Sequence, residues 1–373
     1  MKSTIADFSF QAGQQRRERN MEHGGDIYTY GKEFMGRILD FSSNINPLGP
    51  PEGLMEHLSR GVDEHSRYPD IQYRELRREV SEYLGCGIEN TMVGNGAVEI
   101  IDNFIMDSDR VVLMEPCFSE YRLRAQVHGK EIVEIPSTEE FHLDLDSLRG
   151  RLKRRDLVIL GNPNNPTGKR IDREEILKLH REVLYSGAYL LLDEAFFEFS
   201  PLDYDSIELF REWGYESVGI IRAATKFFAL PGIRLGYCCA GAVKAEKIRK
   251  IQLPWSVNSM ANRAGLHIFR DKAYVQRSRD YIAEQREYLL DSLAGMEGLH
   301  PFGSQSNFIL VRLEGISEDE VFSRLIEQGI MVRKCRSFRV LSDNHIRIAV
   351  KDRESNEKLI QALRAVLIEE ESK

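Results

Sequence analysis

The chain has 373 residues, enough for one large domain and a smaller one. Its 51 basic and 59 acidic side chains give a net charge of −8, which argues against a general nucleic-acid-binding protein. No stretch approaches the roughly 20 apolar residues of a membrane span, and the polar N-terminus lacks the apolar core of a secretory signal. We therefore expect a cytoplasmic protein that binds neither membrane nor nucleic acid. The five cysteines show no metal-binding spacing, so no metal site is predicted.

Between residues 91 and 240, short β-rich segments alternate with helical patterns. Several of these segments are continuously apolar, which is typical of strands covered on both faces. The pattern predicts an α/β domain with a mostly parallel seven-stranded sheet, in which ligands bind at the carboxyl ends of the strands. The predicted strands are 91–93, 110–114, 131–135, 157–160, 188–192, 217–221 and 235–240. The predicted helices between them are 97–105, 118–127, 172–186 and 207–213.

After Pro254 the pattern changes to that of a separate, smaller α+β domain. We therefore expect three parts: an N-terminal arm (1–44) that packs with the small domain, a large domain (45–254) and the small domain (255–373). The elements predicted in the small domain are a helical stretch over 258–293, strands over 308–311, 330–333 and 346–350, and helices over 318–328 and 355–369.

Lys226 is the most informative residue of the chain, because it lies between a short apolar strand (218–221) and a second strand (235–240). A lysine at the carboxyl end of a buried strand is unfavourable unless its charge is paired or its amine is used covalently. Shielded from water and close to a second cation, Arg234, the amine can lose its proton near neutral pH. An imine with an aldehyde cofactor requires that loss. Arg234 itself suits a phosphate, since its guanidinium stays charged.

Four further strand ends carry groups that suit one aromatic, phosphorylated cofactor. The glycines and free N–H groups of segment 94–99 suit a phosphate at a helix start, and Phe118 suits stacking on a planar ring. The Asn-Pro turn at 161–168 is rigid and presents amides to a phenolic oxygen. Asp193 needs an interior partner, such as a protonated ring nitrogen. Three of the four have a structural alternative: an ordinary strand-to-helix turn for 94–99, core packing for Phe118 and a helix cap for Asp193.

Two arginines, Arg333 and Arg347, lie on predicted strands of the small domain. An arginine can bind an anionic substrate through charge-assisted, paired hydrogen bonds. An arginine that faces solvent from its strand is the structural alternative for each of them. The order of the motifs along the chain favours the functional interpretation: phosphate turn, aromatic residue, Asn-Pro turn, Asp, Lys and Arg.

From about Glu22 onward, the chain resembles the fold-type I pyridoxal-phosphate enzymes of the aspartate aminotransferase superfamily. Within that superfamily it is most similar to the histidinol-phosphate aminotransferase group. It is closer still to the threonine-phosphate decarboxylases of cobalamin synthesis, a branch of that group. The segments that carry the finer resemblance are 23–25 (His-Gly-Gly), 40–49 (Asp-Phe-Ser-Ser-Asn-Ile-Asn-Pro-Leu-Gly), 225–234 and 254–258 (Pro-Trp-Ser-Val-Asn).

The resemblance implies pyridoxal 5′-phosphate as cofactor, in a homodimer. It implies that Lys226 bonds to the cofactor aldehyde and that Asp193 pairs with the ring nitrogen and keeps it protonated. It also implies that Asn165 donates to the 3′-oxygen and that Phe118 stacks on the ring. The residues implied at the cofactor phosphate are Gly96, Ala97, Val98, Thr225, Arg234 and, from the neighbouring subunit, Tyr68. The residues implied at the substrate are His23, Gly24, Asn44, Asn165, Arg333 and Arg347.

Two residues depart from the family pattern near the cofactor. Ala223 lies where the family usually has Ser or Thr on the cofactor phosphate, which removes one hydrogen bond worth about 1 kcal/mol. Phe196 lies where the aminotransferases typically have Tyr, which also fits the decarboxylase branch. The segment Asn44-Ile45-Asn46-Pro47 similarly replaces the usual Asn-Glu-Asn-Pro.

The resemblance implies decarboxylation of an O-phosphorylated amino acid. The expected substrate is L-threonine O-3-phosphate, converted to (R)-1-aminopropan-2-yl phosphate and carbon dioxide in cobalamin biosynthesis. The alternative is a histidinol-phosphate-type aminotransferase, which uses the same cofactor, lysine and arginine pair. A cofactor-bound regulator without catalytic activity is disfavoured, since the chain is acidic and its N-terminal segment is too short for a winged helix.

Overall fold

The computed structural model describes residues 24–30 and 37–371, so the predicted site residue His23 lies outside the described part. The strands are β1 (Leu39–Asp40), β2 (Thr91–Asn95), β3 (Arg110–Glu115), β4 (Glu131–Pro136), β5 (Asp156–Gly161), β6 (Tyr189–Asp193), β7 (Val218–Ala223), β8 (Leu235–Ala240), β9 (Leu299–Pro301), β10 (Phe308–Leu313), β11 (Ile330–Met331), β12 (Arg333–Lys334) and β13 (His345–Ala349). The helices are α1 (Ile27–Tyr30), α2 (Leu54–Ser59), α3 (Arg74–Leu84), α4 (Gly96–Met106), α5 (Ser119–Val127), α6 (Leu145–Leu148), α7 (Arg173–Ser186), α8 (Ser206–Arg211), α9 (Ala224–Phe227), α10 (Ala242–Ile251), α11 (Ser259–Ile268), α12 (Lys272–Ala294), α13 (Glu318–Glu327) and α14 (Arg353–Glu371). Short 3₁₀ turns occur at Val62–Ser66, Ile88–Asn90 and Phe197–Phe199.

The larger sheet confirms the predicted α/β architecture. Its seven strands follow the order β2-β8-β7-β6-β5-β3-β4, and β3 to β7 are mutually parallel while β8 is antiparallel to both of its neighbours. Strands β3, β5, β7 and β8 are buried over their whole length, as their apolar sequences predict. Helices α4, α5 and α10 pack on one face and a second, larger apolar core covers the other.

Most predicted elements are found within two residues of their expected ends, and two predicted segments are each divided in the structure. The helical stretch over 258–293 is two helices, α11 and α12, because Asp271 caps the second one by accepting from the Tyr274 N–H at 2.8 Å. The strand over 330–333 is two short strands, β11 and β12, which pair with different partners.

The smaller sheet has the order β12-β13-β10-β9 and is antiparallel throughout. Its register places Arg333 on β12 directly opposite Arg347 on β13. Strand β1 pairs in parallel with β11, so the N-terminal chain joins the small-domain side before it enters the large domain. The domain boundaries at residues 44 and 254 stay predictions.

Within residues 24–30 and 37–371, every helix is too short or too polar to cross a bilayer. The same residues contain no group of three or more His, Cys, Asp or Glu side chains arranged to hold a metal ion.

Candidate active site

A cavity of about 250 Å³ lies where the carboxyl ends of the large sheet face strands β12 and β13 of the small sheet. Most side chains predicted for the site meet there. The predicted residues that line the cavity are Gly24, Asn44, Ala97, Val98, Phe118, Asn165, Asp193, Thr225, Lys226, Arg234, Arg333 and Arg347. Residues from strand ends more than 200 positions apart in the chain therefore enclose one space.

Lys226 lies in the single helical turn α9, directly after β7. The Asn46 N–H donates to the Lys226 carbonyl at 3.1 Å, which fixes the backbone of this turn. Burial and three nearby cations, Arg347, Lys351 and Arg234, lower the pKa of the Lys226 amine to about 8. An appreciable fraction of the amine is therefore neutral near physiological pH, the form that attacks an aldehyde.

Asp193 ends strand β6 and is buried with its carboxylate at the cavity. Its Oδ2 accepts from the Tyr121 hydroxyl at 2.6 Å, and its Oδ1 accepts from the Ala195 N–H at 3.1 Å. Burial raises the pKa of Asp193, because desolvation disfavours its charged form. A cationic ring nitrogen in the cavity would offset that desolvation, which is the role predicted for this residue from the sequence.

The start of helix α4 forms a cradle with Arg234. Gly96 has φ 75°, and a Cβ added there would lie 2.4 Å from the Arg234 Nη2. The Gly96 N–H donates to the Arg234 carbonyl at 3.1 Å, and a Cβ at Gly236 would lie 2.4 Å from the Gly96 carbonyl carbon. Glycine is therefore required at both positions, and the close approach brings a guanidinium to a helix N-terminus. This combination suits a phosphate group.

Arg347 lies on one side of the cavity, at the end opposite the cradle of Gly96 and Arg234. Its Nη1 donates to the Asn165 Oδ1, and its Nη2 donates to the Ser42 carbonyl at 2.8 Å. Because Asn165 accepts through its oxygen, its amide N–H₂ group stays available as a donor. Across the strand pair, the Arg333 Nη2 donates to the Ser337 hydroxyl at 2.7 Å.

The charge of Arg347 is not balanced by a carboxylate within the described part of the chain. Its two hydrogen-bond acceptors are neutral, its Nε is buried without a partner, and no Asp or Glu of residues 24–30 and 37–371 forms an ion pair with it. Burial, aided by Arg333, lowers the pKa of Arg347 to about 10. Like charges directly opposite in a sheet are unfavourable. Arg347, at 5% exposure, is therefore a candidate contact for an anionic ligand.

Asn44 also lines the cavity without a hydrogen-bond partner for its side-chain oxygen, although it is only 2% exposed. Buried polar groups are normally paired, so this amide is a candidate ligand contact. Phe196, the residue that replaces the family tyrosine, packs edge-on against Phe308 with ring centroids 4.9 Å apart.

Tyr68 does not reach the cavity of its own chain. It is 81% exposed, and its ring lies 4.7 Å from that of Trp255, centroid to centroid. Other exposed apolar side chains include Met55, Ile71 and Leu253. The predicted contact of Tyr68 with a neighbouring subunit stays a prediction.

Several side chains at the site were not predicted from the sequence. Tyr121 lies one helical turn after Phe118, and that spacing was the only available signal for it. The others that line the cavity include Ser42, Ser43 and Phe338. Lys351 was also missed; its Nζ donates to the Ser43 carbonyl at 3.1 Å.

Three comparisons with known proteins agree with this geometry. The family model described as aminotransferase class I and II matches residues 37–363. The chain is 40% identical over 351 residues to a protein of Caldanaerobacter subterraneus subsp. tengcongensis named "Putative threonine-phosphate decarboxylase", covering 92% of this chain and 94% of the relative. It is 35% identical over 356 residues to the Adenosylcobalamin biosynthesis bifunctional protein CobDQ of Leptospira interrogans. That match covers 91% of this chain and 40% of the larger protein.

The chain is also similar to a solved structure, the histidinol-phosphate aminotransferase from Clostridium acetobutylicum. The two share 33% sequence identity with a TM-score of 0.83, and the match covers 89% of this chain and 99% of that one.

Proposed function

The chain belongs to the aminotransferase class I and II family, and we propose that it is a pyridoxal-phosphate-dependent decarboxylase of an O-phosphorylated amino acid. The substrate is L-threonine O-3-phosphate, and the products are (R)-1-aminopropan-2-yl phosphate and carbon dioxide. The names of two relatives, one for threonine-phosphate decarboxylation and one for adenosylcobalamin biosynthesis, support this assignment and its place in cobalamin biosynthesis.

The residues present fit pyridoxal 5′-phosphate. The cradle of Gly96 and Arg234 suits its phosphate, the buried Asp193 carboxylate suits a protonated ring nitrogen, and the Lys226 amine suits its aldehyde. The remaining residues proposed to hold it are Ala97, Val98, Phe118, Asn165 and Thr225. When bound, the cofactor supplies a cationic ring that accepts the electron pair released as a bond to the substrate α-carbon breaks.

The observation that carries the proposal is the buried arginine pair. Arg333 and Arg347 face each other across two strands in the cavity that also contains Lys226. A phosphate dianion can accept from both guanidinium groups, and charge-assisted hydrogen bonds of this type are about twice as strong as neutral ones. A phosphorylated substrate therefore fits this end of the cavity, with Gly24 and Asn44 as further contacts; His23 is a proposed contact outside the described residues.

If both arginines bind the substrate phosphate, neither of them is available to bind the substrate carboxylate. In a transamination, an arginine holds the substrate carboxylate. Here the phosphate occupies Arg333 and Arg347, so the carboxylate has neither of them as a partner and becomes the leaving group. The Lys226 Nζ, with its pKa lowered to about 8, can hold and return a proton at the site.

We also propose a homodimer with shared active sites. Tyr68 and Trp255 form an exposed aromatic pair away from the cavity of their own chain. Exposed aromatic side chains are enriched at protein interfaces. In the proposed dimer, Tyr68 reaches the cofactor phosphate of the neighbouring subunit.

Histidinol-phosphate transamination is the second candidate function. It is favoured by the similarity to the aminotransferase from Clostridium acetobutylicum, at 33% identity and a TM-score of 0.83. The same lysine and the same arginine pair serve either reaction, so substrate tests must separate them.

The test compares two assays on the purified holoenzyme. We expect carbon dioxide release from O-phospho-L-threonine without any added keto acid, and no amino transfer from histidinol phosphate to 2-oxoglutarate. Lys226→Ala should reduce carbon dioxide release to background and remove the absorbance of covalently bound cofactor, because the amine that bonds to the cofactor aldehyde is lost.

Lys178→Ala, which removes an exposed lysine on α7, is the matched control and should retain wild-type activity. Transfer to 2-oxoglutarate without carbon dioxide release would favour the second candidate. Turnover retained in Lys226→Ala would contradict the assignment of the nucleophile.

A further inference from the structure

Residues 41–44, here called the pocket segment, connect β1 to the large domain and contact both ends of the cavity. Each of their four backbone carbonyls, from Phe41 to Asn44, accepts a hydrogen bond from the small domain. The donors in chain order are the Ala349 N–H, Arg347 Nη2, Lys351 Nζ and Asn307 Nδ2, at 2.9, 2.8, 3.1 and 3.0 Å. Two residues further on, the Asn46 N–H donates to the Lys226 carbonyl. The shape of this segment therefore affects both Arg347 and Lys226.

One carboxylate, that of Asp40, determines the conformation of the pocket segment. Its Oδ1 accepts from the Ser42 N–H at 2.9 Å, the Ser42 hydroxyl at 2.6 Å and the Ser43 N–H at 3.3 Å. Its Oδ2 accepts from the Ser43 hydroxyl. The Ser42 hydroxyl oxygen in turn accepts from the Gly25 N–H at 2.7 Å. These hydrogen bonds tie both serines, and the segment that carries Gly24, to a single side chain.

The same contacts restrict what the two serines can do in the cavity. Both line it, yet both hydroxyl protons are directed at Asp40. Neither hydroxyl is therefore free to donate to a phosphate, in contrast to the guanidinium of Arg347. The serines act on the ligand through their backbone positions and not as donors.

Asp40 also faces the cations of the site. Burial lowers the pKa of Lys226, Arg347 and Lys351, and the Asp40 carboxylate acts in the opposite direction on all three. Its negative charge would weaken the binding of an anion if charge were its only effect. If charge were the main effect of Asp40, its removal would strengthen anion binding. If its hydrogen bonds are the main effect, its removal weakens anion binding.

We propose that Asp40 is a positioning residue of the anion site. Its four hydrogen bonds hold the pocket segment so that the Ser42 carbonyl directs Arg347 toward a phosphate. The proposal deepens the proposed function, because it rests on Arg347 binding the phosphate of the substrate. It concerns an interaction that can be measured without turnover.

The test is titration of the holoenzyme with inorganic phosphate by calorimetry. In the holoenzyme the cradle at Gly96 is occupied by the cofactor phosphate, so the titration reports on the arginine pair. Asp40→Ala, which loses all four acceptor contacts, should raise the Kd on the order of tenfold, as expected from misaligning one charge-assisted hydrogen bond. Asp40→Asn removes the charge, keeps the three contacts that Oδ1 accepts and can donate from its N–H₂ group to the Ser43 hydroxyl oxygen, so it should bind phosphate within about threefold of wild type or more tightly.

The matched control is Asp144→Ala. Asp144 accepts from the N–H and hydroxyl of Ser147 in the same way but does not line the cavity, so its loss should leave the Kd unchanged. Wild-type affinity in Asp40→Ala would overturn the proposal, and so would an equal loss in Asp40→Ala and Asp40→Asn. If Asp40→Ala does not fold, Ser43→Ala removes one of the four contacts and should weaken phosphate binding about two- to threefold; no weakening would overturn the proposal.

The outcome is separable from that of the proposed function. Wild-type protein that binds phosphate but releases no carbon dioxide from O-phospho-L-threonine would reject the decarboxylase assignment and leave the role of Asp40 intact. For an active enzyme, the KM for O-phospho-L-threonine should rise in Asp40→Ala in parallel with the Kd for phosphate, while kcat changes less.

Discussion

Two buried arginines of this chain have opposite electrostatic surroundings. Arg222, on β7, donates to the Glu194 Oε2 at 3.1 and 2.9 Å and to the Asp205 Oδ1 at 2.8 Å. Arg347, on β13, donates to an amide oxygen and a backbone carbonyl and pairs with no carboxylate of the described residues. The two are 4% and 5% exposed, so burial does not distinguish them. The difference lies in what balances their charge.

The pKa values reflect the same contrast. Burial lowers the pKa of Arg222, but the carboxylates of Asp205 and Glu194 outweigh that effect and the net shift is upward. Burial lowers the pKa of Arg347 to about 10, because the opposing effects of Cys335 and Asp40 do not offset it. A buried cation that the protein itself neutralises contributes to the fold. One that is left for an external anion contributes to binding at a cost in stability.

The comparison of Arg222 with Arg347 predicts its largest effect on the stability of the protein. Arg222→Met should lower the free energy of unfolding by about 3–5 kcal/mol, because Glu194 is left as an uncompensated buried charge. Arg347→Met should leave the free energy of unfolding unchanged or raise it, because it removes a buried charge that has no carboxylate partner. Chemical denaturation of the two cofactor-free variants, side by side with wild type, measures both changes.

The double variant Arg222→Met, Glu194→Leu is the control for that interpretation. Removing both charges should recover part of the lost stability, since the desolvation of Glu194 no longer has to be offset. Equal destabilisation by Arg222→Met and Arg347→Met would contradict the distinction between the two arginines.

The next effect concerns substrate binding. Arg347→Met should raise the KM for O-phospho-L-threonine by roughly 10- to 150-fold, which corresponds to the 1.5–3 kcal/mol of a hydrogen bond to a charged group. The absorbance of bound cofactor should persist, because Lys226 and Asp193 remain in place. Steady-state kinetics and an absorption spectrum check the two parts. Arg312→Met, on the neighbouring strand β10 and partly exposed, should keep the wild-type KM. An unchanged KM in Arg347→Met would contradict the anchoring of the phosphate.

The cofactor end of the cavity could be predicted from local sequence, whereas the substrate end could not. Asp193 and Lys226 each follow an apolar strand of a parallel sheet, and the carboxyl ends of such strands meet. For Arg333 and Arg347, the residues alone left a solvent-facing strand arginine as an alternative. Their encounter depends on the β12–β13 register, which pairs them across the sheet. The family resemblance supplied what the local pattern lacked.

Contacts made only by tertiary packing were not predicted at all. The Tyr121 hydroxyl on α5, a helix that packs against β3 and β4, reaches Asp193 across 72 residues, and no local pattern indicates that contact. The hydrogen bonds of the pocket segment to Arg347 and Lys351 were also not predicted, since these partners follow about 300 residues later. The predicted helical stretch over 258–293 is divided into two helices for the opposite reason. A local cap at Asp271 outweighed the continuous helical composition.

The smallest effect tests whether Arg347 also influences the neighbouring amine. Only a neutral amine reacts with acetic anhydride, so labelling of Lys226 in the cofactor-free protein should rise with pH with a midpoint near pH 8. Among the cations that lower the pKa of Lys226, Arg347 has the largest effect. Arg347→Met should therefore move the midpoint to higher pH. Arg312→Met should leave it unchanged. Mass spectrometry of the Lys226 peptide measures the midpoint, and an unchanged midpoint in Arg347→Met would mean that the two side chains do not face the same space.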